Sequence, residues 1–202
     1  MKIDEFKVAI LAKSNKRRNN NDYGYCIAGV TALGEWIRFV ADENGDSVSQ
    51  DEAIEVGQII LALGERAPLA YQTENVVLRD FNVIDKGFSK EFFRYVNNIR
   101  PIKENGIFGN AAKRLTAEEM KHNNGTLRLL EVQSLEVYWD KDKKCKALFN
   151  HNGIHFDGIP MTDPKHYTKK GSPPEYIGNA CIIVSLPDEP VFNKFVAAIY
   201  PN

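Results

Sequence analysis

The apolar residues of this chain come in short runs, such as Ala180-Cys181-Ile182-Ile183-Val184. Runs of that length suit strands and fall well short of the roughly 20 apolar residues of a membrane-spanning helix. Residues 6–12 predict a first strand, 25–30 a second and 35–40 a third, with Ala32-Leu33-Gly34 as the turn of a hairpin. Alternation puts Trp36, Arg38 and Val40 on one face of the third strand and Ile37 and Phe39 on the other. Residues 58–63 predict a fourth strand; beyond the break at Pro68, residues 72–78 predict a fifth strand or strand edge. Between these, residues 13–24 are polar, asparagine-rich and basic and are expected to form an exposed loop, and a short helix is expected around 49–55. Five short strands in about 80 residues suit a small barrel.

The middle of the chain changes period. Ser89 is a plausible N-cap, and Phe92, Tyr95, Val96 and Ile99 line one helical face before Pro101. Thr116-Ala117-Glu118-Glu119 has capping-box form, so a second short helix is expected to run to about His122, stopped by Asn123-Asn124-Gly125. A second β-rich block follows. Residues 127–132 and 135–139 read as two strands or one bent strand, residues 144–150 and 154–159 form a hairpin around His151-Asn152-Gly153, and 179–186 and 192–199 close the chain, the last as strand or helix. The expected fold is mainly β with a few short helices. It forms two units: 1–100, a barrel with a trailing helix, and 101–202, a helical connection and a second barrel. No residue-level repeat links the halves.

Lys and Arg number 26 against 27 Asp and Glu, a formal charge of -1. That argues against a generic polyanion binder and requires any nucleic-acid site to be a local patch. The charge is uneven. Residues 1–40 carry seven bases and four acids, whereas residues 41–65 carry seven acids and no base, a run whose glycine, serine and asparagine content reads as solvated loop. Three widely spaced cysteines with no CxxC pair argue against a disulfide framework or zinc knuckle. With no signal-like apolar stretch at Met1-Lys2-Ile3-Asp4-Glu5, the cytoplasm is the expected compartment.

In order along the chain stand Ile10-Leu11-Ala12-Lys13-Ser14, Tyr25-Cys26-Ile27-Ala28-Gly29, Gly34-Glu35-Trp36-Ile37-Arg38, Tyr71-Gln72-Thr73-Glu74-Asn75, Thr162-Asp163-Pro164, Ser185-Leu186 and Lys194 to Ala198. Their order and spacing resemble the dual OB-containing domain family of bacteria over nearly the whole chain. Phe39 and Thr73 stand where that family typically has proline. The resemblance implies two OB-like barrels and nucleic-acid binding, and no catalytic mechanism.

OB barrels bind single strands with a basic groove and aromatic platforms, each stacked base contributing about 1–3 kcal/mol. The first barrel offers Lys13, Lys16, Arg17, Arg18 and Arg38 for phosphates, with Tyr23, Tyr25 and Trp36 for bases. If the Trp36–Arg38 face points outward the pair is a stacking and phosphate-binding platform; if inward, Trp36 is core and Arg38 snorkels to the rim. Tyr71, Gln72 and Asn75 could hydrogen-bond a base or sugar, or anchor their own loop. Lys165, His166, Lys169 and Lys170 near Tyr167 make a second basic–aromatic loop, while the lysines at 141–146 read as a solvated hairpin. His151, His155 and Asp157 imitate a metal set, but across a turn, where surface histidines are the commoner outcome. Cys26 reads as a buried inert thiol, and Asp163 equally as a lone general base or as an Asx cap before Pro164. No phosphate-binding glycine loop, zinc-binding helix or nucleophile elbow occurs.

The expected function is therefore a non-enzymatic module without cofactor that binds single-stranded DNA or RNA with low sequence specificity. The alternative is a protein-interaction or small-nucleotide-sensing module in a bacterial defence or mobile-element system, which the near-neutral charge favours. A third reading, an enzyme acting on nucleic acid, would require Asp163, His166 and Arg38 to converge.

Overall fold

The computed structural model describes residues 2–17, 23–49, 53–102, 104–123, 125–166, 172–187 and 192–202. The chain divides into two units, Met1–Arg100 and Pro101–Asn202. No described helix is long and apolar enough to cross a membrane.

The first unit contains β1 (Asp4–Arg17), β2 (Tyr23–Thr31), β3 (Trp36–Val40), β4 (Val48–Ser49), β5 (Ile59–Arg66), β6 (Asn75–Asp85) and α1 (Lys90–Val96). The strands close in the order β1-β2-β3-β6-β5-β1, with β3 and β6 parallel and the other pairs antiparallel. This is the five-stranded Greek-key barrel of the OB fold. One strand serves two neighbours: β1 pairs with β5 through residues 4–9 and with β2 through residues 8–17. A bulge between Ile10 and Ala12 makes this possible, because an extra residue bends a strand and increases its twist. Val8, Ile10, Ile27, Ile37, Phe39, Ile54, Ile60 and Val76 meet inside with no exposed surface. Each such side chain contributes about 1.5–3 kcal/mol on burial. The expected alternation holds in β3, whose Ile37 and Phe39 enter this core.

Gly29 is required where β2 crosses the bulge. A Cβ there would lie 2.2 Å from the Ala9 carbonyl oxygen and 2.7 Å from Val8 Cγ1. Gly29→Ala is therefore expected to lower the stability of this unit by about 2–4 kcal/mol, read as a shifted midpoint in urea unfolding. A loss below about 0.5 kcal/mol, the ordinary range for surface changes, would show that the strands do not approach this closely.

Three local expectations change. Residues 13–17 are strand, not loop, because β2 pairs with them up to Arg17↔Tyr23. No helix forms in the described part of 49–55, where Val48–Ser49 instead adds a short strand beside β2. The fifth strand starts at Asn75, with Gln72 in the turn before it. Ser89 does cap α1, its hydroxyl accepting from the Phe92 N–H at 3.0 Å.

The second unit contains β7 (Arg114–Leu115), α2 (Ala117–Lys121), β8 (Leu127–Trp139), β9 (Cys145–His151), β10 (Ile154–Pro160), β11 (Glu175–Ser185), β12 (Phe192–Asn193) and β13 (Phe195–Pro201). Thr116 and Glu119 form the predicted capping box. The two runs at 127–139 are one strand, bent where Ser134 adopts φ 53° and the register to β9 shifts. Asn152 and Gly153 both take positive φ, as a two-residue hairpin turn requires. The sheet order is β10-β9-β8-β11-β13, and a parallel bridge Met161↔Val196 brings the ends together. The last segment is strand. The two halves thus share more than strand budget: each has a bent first strand between two partners and a parallel contact between its third and fifth barrel strands. Phe149 and Phe156 stack at 5.4 Å in the second core.

Candidate nucleic-acid interface

The bulge in β1 sets Lys13 opposite Ile27, diagonal to Tyr25 on the same face. There the Lys13 ammonium lies 4.4 Å from the centre of the Tyr25 ring and 2.8 Å from Glu55 Oε1. Its side chain is only 10% exposed, and Tyr25 packs partly against the barrel core. Lys13 is thus held by a ring and a carboxylate at the barrel mouth rather than standing free for a phosphate. Beyond it the β1–β2 pair continues as a two-stranded ribbon, with the backbone of Lys16 opposite Gly24 and that of Arg17 opposite Tyr23. Arg18 lies outside the described residues, as do Tyr167, Lys169 and Lys170 of the second basic–aromatic loop.

The outward face of β3 does not form the expected platform. Trp36 is half-buried opposite Val30. Arg38 is 4% exposed, and its side chain donates to Glu74 Oε1 at 3.4 Å and to Cys26 Sγ at 3.2 Å. The physical reason is the parallel β3–β6 pairing. Arg38 N–H donates to the Glu74 carbonyl at 3.0 Å, and this draws the segment before β6 over the face of β3. Burial works against the guanidinium charge, but Cys26 and Glu74 together hold its pKa above the ordinary arginine value. Cys26 is accordingly a partly exposed acceptor on the outer face rather than an inert core thiol.

Gln72 and Asn75 lie in the same layer, 1% and 0% exposed, with Asn75 Nδ2 donating to Gln72 Oε1 at 3.2 Å. They anchor the loop and do not present base-reading edges. The three separate motifs Tyr25–Gly29, Gly34–Arg38 and Tyr71–Asn75 therefore meet in one buried polar cluster. Sequence reasoning named Arg38 and missed Glu74; the signal was available, since Glu74 lies inside the same five-residue motif as Gln72 and Asn75. Glu55, the partner of Lys13, carried no such signal within its acidic run.

In the second unit both Asp163 oxygens are occupied, accepting from the backbone N–H groups of Lys165 and Ile199 at 2.9 Å each. His166 lies 3.4 Å from Glu175. His151, expected on the hairpin surface, is 2% exposed with Nδ1 2.8 Å from the Glu131 carbonyl oxygen. Lys194, from the closing motif, was not singled out. It is fully buried, and its ammonium donates to Asn110 O at 2.9 Å, Asn110 Oδ1 at 2.5 Å and Ala112 O at 2.6 Å. Desolvation pushes its pKa down to about 8, with Glu119 and Glu104 opposing.

No curated protein matches the chain. A comparison with protein families matches the dual OB-containing domain over residues 6–199. With that match spanning nearly the whole sequence and a closed OB barrel in the first unit, the chain belongs to the dual OB-containing domain family.

Proposed function

We propose that this chain is a non-enzymatic bacterial module that binds single-stranded nucleic acid with low sequence preference, through the ribbon where β1 and β2 leave the first barrel. The ribbon is the observation that supports this best. Strand pairing persists to Arg17↔Tyr23, so Lys16 and Arg17 stand at the end of β1 beside the connection between the first two strands, which OB folds use for oligonucleotides, and Arg18 follows them in sequence. Trp36, opposite Val30 near the other end of β2, lies away from the ribbon and is no part of this site. Lys13 and Tyr25 brace the base of the ribbon, while Arg38, Gln72 and Asn75 fix the backbone behind it. Cys26, Cys145 and Cys181 are free thiols, which suits a reducing cytoplasm.

The test is fluorescence anisotropy of labelled single-stranded oligonucleotides. Lys16→Ala/Arg17→Ala/Arg18→Ala is expected to weaken binding about tenfold or more, and alike for every sequence, because phosphate contacts carry no sequence information. Unchanged affinity would contradict the ribbon site. The net charge of -1 favours a second reading, a protein-interaction or small-nucleotide-sensing module. It predicts no retention on an oligonucleotide column.

A further inference from the structure

The outer face of the second barrel holds a half-open pocket of about 280 Å³. Its walls are mostly carboxamides: Gln133 on β8, Asn150 on β9, Asn152 in the β9–β10 turn, Asn179 on β11 and Asn202, together with Glu131, Val132 and Gly153. Two irregularities meet there. The β8–β9 register shifts between Gln133 and Glu136, with Ser134 at φ 53°, and the β11–β8 register shifts on both sides of Gly178, at φ 87°. Adjacent bulges re-aim side chains, and they recur beside binding sites.

Two of the carboxamides, Asn150 and Asn152, are held in defined orientations by their neighbours. His155 Nδ1 donates to Asn150 Oδ1 at 3.0 Å, so the Asn150 amide nitrogen keeps donors to offer. Asn152 Nδ2 donates to the Glu104 carbonyl at 3.0 Å and lies 3.3 Å from His151 Nε2. With His151 Nδ1 donating to the Glu131 carbonyl, Nε2 is the acceptor, and both Asn152 N–H groups are engaged. Asn152 is left with its oxygen to offer. The pocket thus presents a donor beside an acceptor, and its lining includes no cation for a phosphate and no ring for stacking. A neighbouring donor and acceptor complement the Watson–Crick edge of a base. The volume lies just below the roughly 300–1,000 Å³ of ordinary ligand pockets, enough for one ring system and not for a length of chain.

We infer that this pocket takes a single nucleobase edge-on and reads it by hydrogen bonds. The inference deepens the nucleic-acid reading above and rests on it, giving the second barrel a base-selective subsite. It lies near the β9–β10 turn, at the opposite end of β9 from the β8–β9 connection that corresponds to the ribbon of the first barrel.

The experiment is a ¹H–¹⁵N titration of the full chain with free nucleosides, which carry no phosphate. Saturable shifts are expected at Gln133, Asn150 and Asn152 for one or two of the nucleosides and not the rest. They should be insensitive to salt and weakened about tenfold or more in Asn150→Leu. Asn179→Leu, on an exposed wall, is expected to weaken the same shifts and supplies the test if Asn150→Leu misfolds. No shift at these residues up to about 10 mM nucleoside, below the ordinary range of binding, would overturn the inference. So would shifts that survive in both variants, or shifts with a methyl glycoside and none with a nucleoside. A parallel oligonucleotide titration separates the two claims. Oligonucleotide binding without nucleoside shifts ends the base pocket alone, whereas nucleoside shifts without oligonucleotide binding uphold the pocket and end the strand-binding reading.

Discussion

Lys194→Met is expected to lower the stability of the second unit by about 1–3 kcal/mol at pH 7, because three oxygens lose a charged donor: Asn110 O and Asn110 Oδ1 keep the backbone N–H groups of Ile107 and Ala112, while Ala112 O loses the ammonium outright. The pH dependence gives the sharper signature. The folded-state pKa is about 8 against an ordinary 10.5. Between those values the unfolded chain holds the proton of Lys194 more often than the folded one, so the contribution of this group to wild-type stability rises with pH. At 1.36 kcal/mol per unit the full gain is about 3 kcal/mol, and the methionine variant lacks it. The deficit of the variant should therefore widen from pH 7.5 to 10. A lysine in an ordinary exposed ion pair would show the opposite trend, losing its contribution as it deprotonates. Burial raises the thiol pKa values of Cys145 and Cys181 and the phenol pKa values of Tyr138 and Tyr200; these lower stability above about pH 9 and pH 10 in both proteins and cancel in the difference. Each unit carries one tryptophan, so Trp36→Phe leaves Trp139 to report on the second unit in urea. A deficit that narrows with pH would refute the buried, desolvated ammonium.

The second large effect belongs to Arg38 and Glu74. Arg38→Met alone leaves a carboxylate in the layer over β3, and Glu74→Leu alone leaves a guanidinium there. With side chains 4% and 5% exposed, each single change is expected to cost about 3–5 kcal/mol. The double change should cost much less than the sum, since a buried ion pair replaced by apolar groups is often close to neutral. Urea unfolding followed through Trp36, in a Trp139→Phe background, measures the cycle. Additive single effects below about 1 kcal/mol each, the behaviour of surface pairs, would show that the cluster is open to water.

Strands and helix caps were legible because they depend on local residues. The apolar alternation in β3, the Asn152-Gly153 turn and the Thr116/Glu119 box each declare themselves within a few positions. What alternation cannot say is what covers a strand face. Trp36 and Arg38 share one, but its cover arrives 36 residues later with Glu74. Lys13 meets Glu55 across 42 residues, and Lys194 meets Asn110 across 84. In each case a cation that looks available in sequence is satisfied from a distant segment. The strand at 13–17 was hidden for a related reason. Its polar composition says loop, while its pairing with β2 decides otherwise, since strand preference follows context more than composition. What remains of the expected interface is the part carried by the ribbon, since Trp36, opposite Val30, stands near the other end of β2.

The most direct measurement is the affinity of the wild-type chain for a single-stranded oligonucleotide across a range of salt. Binding by the ribbon predicts that log K falls linearly with log salt at about -0.7 per phosphate neutralised, near -2 for its three bases. The Lys16/Arg17/Arg18 alanine variant should fall less steeply. A flat dependence in the wild type, or equal slopes in both proteins, would contradict nucleic-acid binding at that site.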